Sequence, residues 1–239
     1  MTTPEANLGA WLRLQTWLSP GFPVGSFAYS HGLEWAVESG LVSQRDALGQ
    51  WIEGILRLGA GRHDGVLLQA AYHATARAGA GEWETLDRLV TWADALRPTA
   101  ELALESGTQG QAFLSALCTG WPDPLLHAWQ ERLAGRPLAL PLAVGAGCAV
   151  HDIALQAAIP AYLQSLVANL LSAGVRLIPL GQSAALVLTH RLEAVVLDVA
   201  QQVLTGDPGD WSRRLGGADW MVVWCSLRHE TQYTRLFRS

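Results

Sequence analysis

Apolar residues recur along this chain at the three- and four-residue spacing of a helix, and breakers cut the pattern into about ten stretches. Trp11, Leu12, Leu14 and Leu18 mark the first, over 8–18. A Pro- and Gly-rich loop follows over 19–26, then a short helix is expected over 29–38 with Gly40 at its C-terminal end. Ser43 offers the next N-cap, with Asp46 three residues on, for a helix reaching Leu58. The spacing predicts further helices over 63–77, 82–96, 99–117, 124–133, 142–155, 160–173 and 182–204. No run alternates as a strand would, and no segment repeats at a fixed period. The expectation is therefore an all-α fold, a single helical domain with a flexible C-terminal tail. The helical domain is expected over 1–204, a polar Gly-rich linker over 205–218 and a partner-binding tail over 219–239.

One stretch is long enough to span a bilayer. Residues 153–175 are 23 in a row without a charge. Gln156, Gln164, Ser165, Asn169 and Ser172 interrupt it, and Pro160 lies near its start. It is expected to be a buried or interface helix, with Leu163, Leu166, Val167 and Leu170 as packing residues, and no membrane partner is expected.

Composition sharpens the fold class and removes several chemistries. Of 239 residues, 35 are Ala and 39 Leu but only 5 are Ile, so strong helix formers dominate. All 16 basic residues are Arg, and the chain has no Lys. That excludes a Walker A phosphate loop, a Schiff-base enzyme and a protein kinase. The net charge is −5 and no basic block exists, so no nucleic-acid partner is expected. Cys118, Cys148 and Cys225 are odd in number and far apart, which suits buried reduced thiols in a cytoplasmic protein. Glu5 stands where a secretion signal would carry positive charge.

Familiar catalytic motifs are incomplete. Gly145 and Gly147 begin a dinucleotide fingerprint, but Val150 replaces its third Gly. His229 and Glu230 begin a zincin motif, but Tyr233 replaces its second His. No two of the seven histidines lie three or four residues apart, so no metal site and no cofactor are expected. His31 and Glu34 are expected to form a local ion pair on one helix face. The doublets His63-Asp64 and His151-Asp152 leave an all-helical HD-type phosphohydrolase as a rival reading.

Two segments suit docking of another protein. In the loop over 20–40, Pro and Gly hold a compact turn among Phe22, Phe27 and Tyr29, and Glu34 and Glu38 would give an acidic face beside it. The last fourteen residues mix Arg228, His229, Glu230, Arg235 and Arg238 with Tyr233, Leu236 and Phe237. Such a mixture reads either as a frayed end or as a segment that orders on a partner.

These residues carry a resemblance. Pro23-Val24-Gly25-Ser26-Phe27, Ser30 and Gly32-Leu33-Glu34-Trp35-Ala36-Val37-Glu38 resemble the opening signature of the urease accessory protein UreF family. Thr99, Glu101-Leu102, Gly110 and Phe113 resemble its central helix motif. Asn169, Ser172 through Leu177 and Pro179 through Gln182 resemble its core helix and turn. Arg228 through Tyr233 and Arg235 through Ser239 resemble its tail. The central motif often has Arg where this chain has Ala100 and Ala103.

The resemblance implies an all-helical, non-catalytic scaffold for nickel insertion into apo-urease. It implies two accessory partners, one of the UreD or UreH type and one the GTPase UreG, which it is expected to regulate. A homodimer stays open. Gly25, Phe27, Ser30 and Glu34 are then expected to face the GTPase. Arg176, Arg228, His229, Glu230, Tyr233, Arg235 and Phe237 are expected to bind the other partner. For Arg176, a cap on its own helix is the competing role. A nickel-storage metallochaperone is the second rival reading.

Overall fold

The computed structural model describes residues 8–217 and 219–239, and the regular elements among them are all helices, with no strand. The helices are α1 (Leu8–Trp17), α2 (Leu33–Glu38), α3 (Arg45–Leu58), α4 (Ala60–Ala78), α5 (Glu84–Ala95) and α6 (Ala100–Gly120). They continue with α7 (Pro124–Leu133), α8 (Leu140–Val150), α9 (Leu155–Leu177), α10 (Gln182–Thr205), α11 (Trp211–Arg214) and α12 (Trp220–His229). Local chemistry starts several of them. Thr99 Oγ1 accepts the Leu102 amide at 3.1 Å to open α6. Asp123 Oδ1 accepts the Leu125 amide at 2.8 Å, and Pro124 occupies the first position of α7.

The most apolar helix, α8, lies at the centre against α4 and α6. Its glycines permit that approach, because a Cβ on Gly145 would overlap the Leu68 carbonyl and one on Gly147 would strike Leu117. Helix α9 packs on α10, α4, α3 and α2. Leu163, Val167 and Leu170 of α9 are fully buried, while Leu166 is half-buried. By length and composition α9 alone among the described helices could cross a membrane, and half of its most apolar window is buried inside the molecule.

Three expectations change. Pro160 does not begin a helix but lies inside α9, which starts five residues earlier. The ring removes one backbone donor there, and burial of Ala158, Ile159 and Leu163 around it keeps the segment helical. Residues 205–217 hold a 3-10 turn at Pro208–Asp210 and helix α11, with Trp211 buried and Arg214 bonded to Gln69 Oε1 at 2.7 Å. The tail packs on the helical body rather than standing apart from it. Its first half forms α12, and Ser226, His229, Phe237 and Ser239 are buried. Helix α12 crosses α2 closely at Gly32, where a Cβ would sit 3.2 Å from the Ser226 nitrogen and the Val222 oxygen.

Candidate functional site

The Pro/Gly loop and the tail, read separately in the sequence, meet in one place. Gly25 adopts φ +72°, a left-handed conformation that a side chain disfavours, and so admits the 3-10 turn at Ser26–Ala28. That turn sends Phe22 inward against Phe113, ring centroids 5.1 Å apart, and leaves Phe27 68% exposed. His31 and Gly32 then both take positive φ before α2 begins at Leu33. His31 therefore lies outside the helix and does not pair with Glu34, contrary to the expected local ion pair; it faces Glu105 instead, at 3.5 Å.

Glu34 is not a surface charge. It is 6% exposed, and its carboxylate accepts the backbone amides of Leu236 at 2.6 Å and Phe237 at 2.8 Å. It also meets His229 Nε2 at 3.0 Å. The other ring nitrogen, Nδ1, meets Glu101 Oε2 at 2.7 Å, and Arg235 donates to Glu101 Oε1 at 2.9 Å. His229 itself has no exposed surface. It reaches a partner only through the groups it holds.

Further bonds fasten the same segment. The Ser30 amide and hydroxyl both donate to the Ser239 carbonyl, and the Ser30 oxygen also accepts the Glu34 amide at 3.2 Å. The Ser239 hydroxyl donates to Glu105 at 2.8 Å, and the Arg238 amide to the Ala28 carbonyl at 2.8 Å. Glu230 accepts the Ala100 amide at 3.0 Å, and Thr99 and Ser226 share a hydrogen bond of 2.7 Å. Arg176 takes the competing role, a cap on its own helix, and also bridges to the loop and the tail. It donates to its own helix at the Ser172 carbonyl, 3.1 Å, and to the Phe27 carbonyl, 2.9 Å, and its guanidinium lies 4.4 Å over the Phe237 ring.

The surface around this knot is apolar. Phe27, Tyr233 and Leu236 are exposed, and Arg228 covers the half-buried Trp35 at 5.2 Å. The sequence reading missed Trp220, Met221, Trp224 and Leu227, which form one exposed stripe along α12. Their i, i+1, i+4, i+7 spacing was available as a signal. The charged residues that follow directly, Arg228, His229 and Glu230, break the stripe after two turns and mask it. The sequence reading also missed Glu101 and Glu105 as receptors for the tail.

Beneath the loop lies a cavity of about 160 Å³ lined by His31, Asp64, Arg97, Glu105, Tyr162 and Asn169, among others. Asp64 receives Arg97 at 2.6 Å on one oxygen and the Tyr162 hydroxyl at 2.7 Å on the other. Both oxygens of the His63-Asp64 doublet's carboxylate are thus occupied, which removes support from the phosphohydrolase reading. Burial disfavours charge on His31, but the adjacent Glu105 carboxylate outweighs it and lifts the imidazole above its ordinary range. Burial likewise opposes charge on Glu105, and His31, Ser239 and Arg97 overcome it and hold the carboxyl below its ordinary range. Among the described residues no three His, Cys, Asp or Glu side chains are grouped to hold a metal.

Comparison with known proteins gives a consistent result. A sequence model of the UreF family matches residues 42–193. A urease accessory protein UreF from Magnetococcus marinus is 47% identical over 96% of this chain and 98% of its own length. One from Methylorubrum populi is 43% identical over 95% of this chain and 98% of its own length. One from Rhodopseudomonas palustris is 44% identical over all of this chain and 97% of its own length.

Proposed function

This chain belongs to the UreF family of urease accessory proteins, and we propose that it is a non-catalytic cytoplasmic scaffold for nickel insertion into apo-urease. In this reading it joins a UreD- or UreH-type accessory protein to the GTPase UreG and regulates that GTPase. One observation carries the reading: the exposed stripe of Trp220, Met221, Trp224 and Leu227 on α12 runs into a tail that presents Tyr233 and Leu236. Large aromatics with nearby Arg are the residues that dominate interface energies, and soluble proteins rarely leave several together without a use. The UreD- or UreH-type protein is assigned to this stripe and tail. There Tyr233, Arg228 and Arg235 supply contact, while His229, Glu230, Phe237 and Arg176 hold the segment in shape.

The GTPase is assigned to the loop. Phe27 offers the surface there, and Gly25, Ser30 and Glu34 fix its direction from beneath. The chain itself has no Lys for a phosphate loop, so the nucleotide belongs to the partner. Co-purification with the other accessory proteins tests the assignment. A Trp224→Ala/Tyr233→Ala double variant should keep its helix content and lose most retention of the UreD- or UreH-type partner. Retention equal to wild type removes the α12 stripe and tail from that interface.

A further inference from the structure

The ring of His229 is held at both nitrogens by carboxylate oxygens from two different helices, and this arrangement carries a consequence for the tail. Among the described residues, Glu34 receives nitrogen donors alone: the amides of Leu236 and Phe237, and His229 Nε2. Among them Glu101 receives His229 Nδ1 and Arg235 alone. A neutral imidazole has one N–H and one acceptor nitrogen. The two carboxylate–imidazole bonds need two protons among the three groups, whichever atom holds each one. With both protons present, two carboxylates, one imidazolium and one guanidinium sum to zero charge. With one removed, a net negative charge is left in a site where His229 has no exposed surface.

We propose that His229 is a proton-operated latch that docks the tail onto α2 and α6. When the second proton is bound, Glu34 and Glu101 are tied through the ring, and the amides of Leu236 and Phe237 stay on Glu34. When it leaves, one of the two bonds opens and the carboxylates repel, so the tail loosens from Leu236 onward. The latch deepens the docking assignment above, because the segment it frees carries Tyr233 and Leu236. Its physical claim is intramolecular and needs no partner.

The other charges near the ring have their own contacts. On its own helix, Arg228 lies over Trp35 and Glu230 takes the Ala100 amide. From α9, Arg176 lies over Phe237. One turn beyond Glu101, Glu105 faces His31 and accepts the Ser239 hydroxyl, so His31 is the one other imidazole adjoining the tail among the described residues.

The test is hydrogen exchange of the Leu236 and Phe237 amides in the full chain without partners, corrected for the intrinsic pH dependence of exchange. Protection should be roughly tenfold lower at alkaline than at mildly acidic pH. His229→Gln supplies one donor atom and one acceptor atom and does not titrate, and should show low, pH-independent protection of these amides with helix content unchanged. His31→Gln should keep the wild-type profile. A flat wild-type profile overturns the latch, as does a pH dependence that survives in His229→Gln or vanishes in His31→Gln. Because these readouts concern the chain alone, the latch and the partner assignment can fail separately.

Discussion

Replacing Glu34 with Ala would strand two backbone amides and one nitrogen of a buried ring. Each unsatisfied buried donor is costly, so Glu34→Ala should lower unfolding free energy by about 2–4 kcal/mol in a urea titration. A solvated carboxylate would cost less than about 0.5 kcal/mol, and a loss that small would place Glu34 on the surface. The spacing of Glu34 and Glu38 correctly marks a helix, and Glu38 is exposed as expected. What covers Glu34 comes from donors 195 to 203 residues away. No local pattern encodes that, so a buried receptor looked like a surface charge. The His31–Glu105 pair adds a pH effect with opposite signs at its two ends. His31, lifted above its ordinary range, contributes stability that is complete below the ordinary histidine value and lost as pH rises through the lifted one. Glu105, held low, contributes stability present above the ordinary carboxylate value and lost as pH falls through the lowered one. Melting curves from acid to mildly alkaline pH should therefore fall at both ends. His31→Gln should lessen the alkaline fall without abolishing it, and an unchanged alkaline limb would show that the pair does not contribute.

Among the helices, α9 gives the plainest mutational expectation. Leu170 is fully buried between α9 and its neighbours, so Leu170→Ala should cost about 2–5 kcal/mol by denaturant unfolding. A cost below about 0.5 kcal/mol would mean that the helix does not bury this face. That α9 exists and is buried was readable from 23 uncharged residues at helical spacing. Its start was not, because Pro160 looks like a first helical residue when only local rules apply, whereas packing of Leu155, Ala158 and Ile159 extends the helix past it. Helix α12 was illegible for a related reason. Its inward residues, Val222, Cys225, Ser226 and His229, are half polar, so the buried side looks no more apolar than the exposed one. Only the partners on α2 and α6, Glu34, Glu101 and Thr99, make that polar side an inside.

At the scale of the molecule, removal of residues 226–239 tests whether the tail belongs to the folded body. A loose tail would leave melting unchanged. This one buries Ser226, His229, Phe237 and Ser239 and satisfies three glutamates, so its deletion should lower the melting temperature by several degrees. An unshifted melt would show that the segment detaches at no cost to the rest. The same links also order events in time. Chains fold from the N-terminus as they are made, and Glu34, Glu101 and Glu105 precede their tail partners by 128 to 203 residues. Throughout synthesis of the helical body these carboxylates have no tail donors to satisfy them, and contacts of such separation close slowly. The final stretch of the chain thus acts as a closing clasp: a chain that stops short leaves Glu34, Glu101 and Glu105 without their tail donors, and a body less stable for that reason spends more time open to proteases.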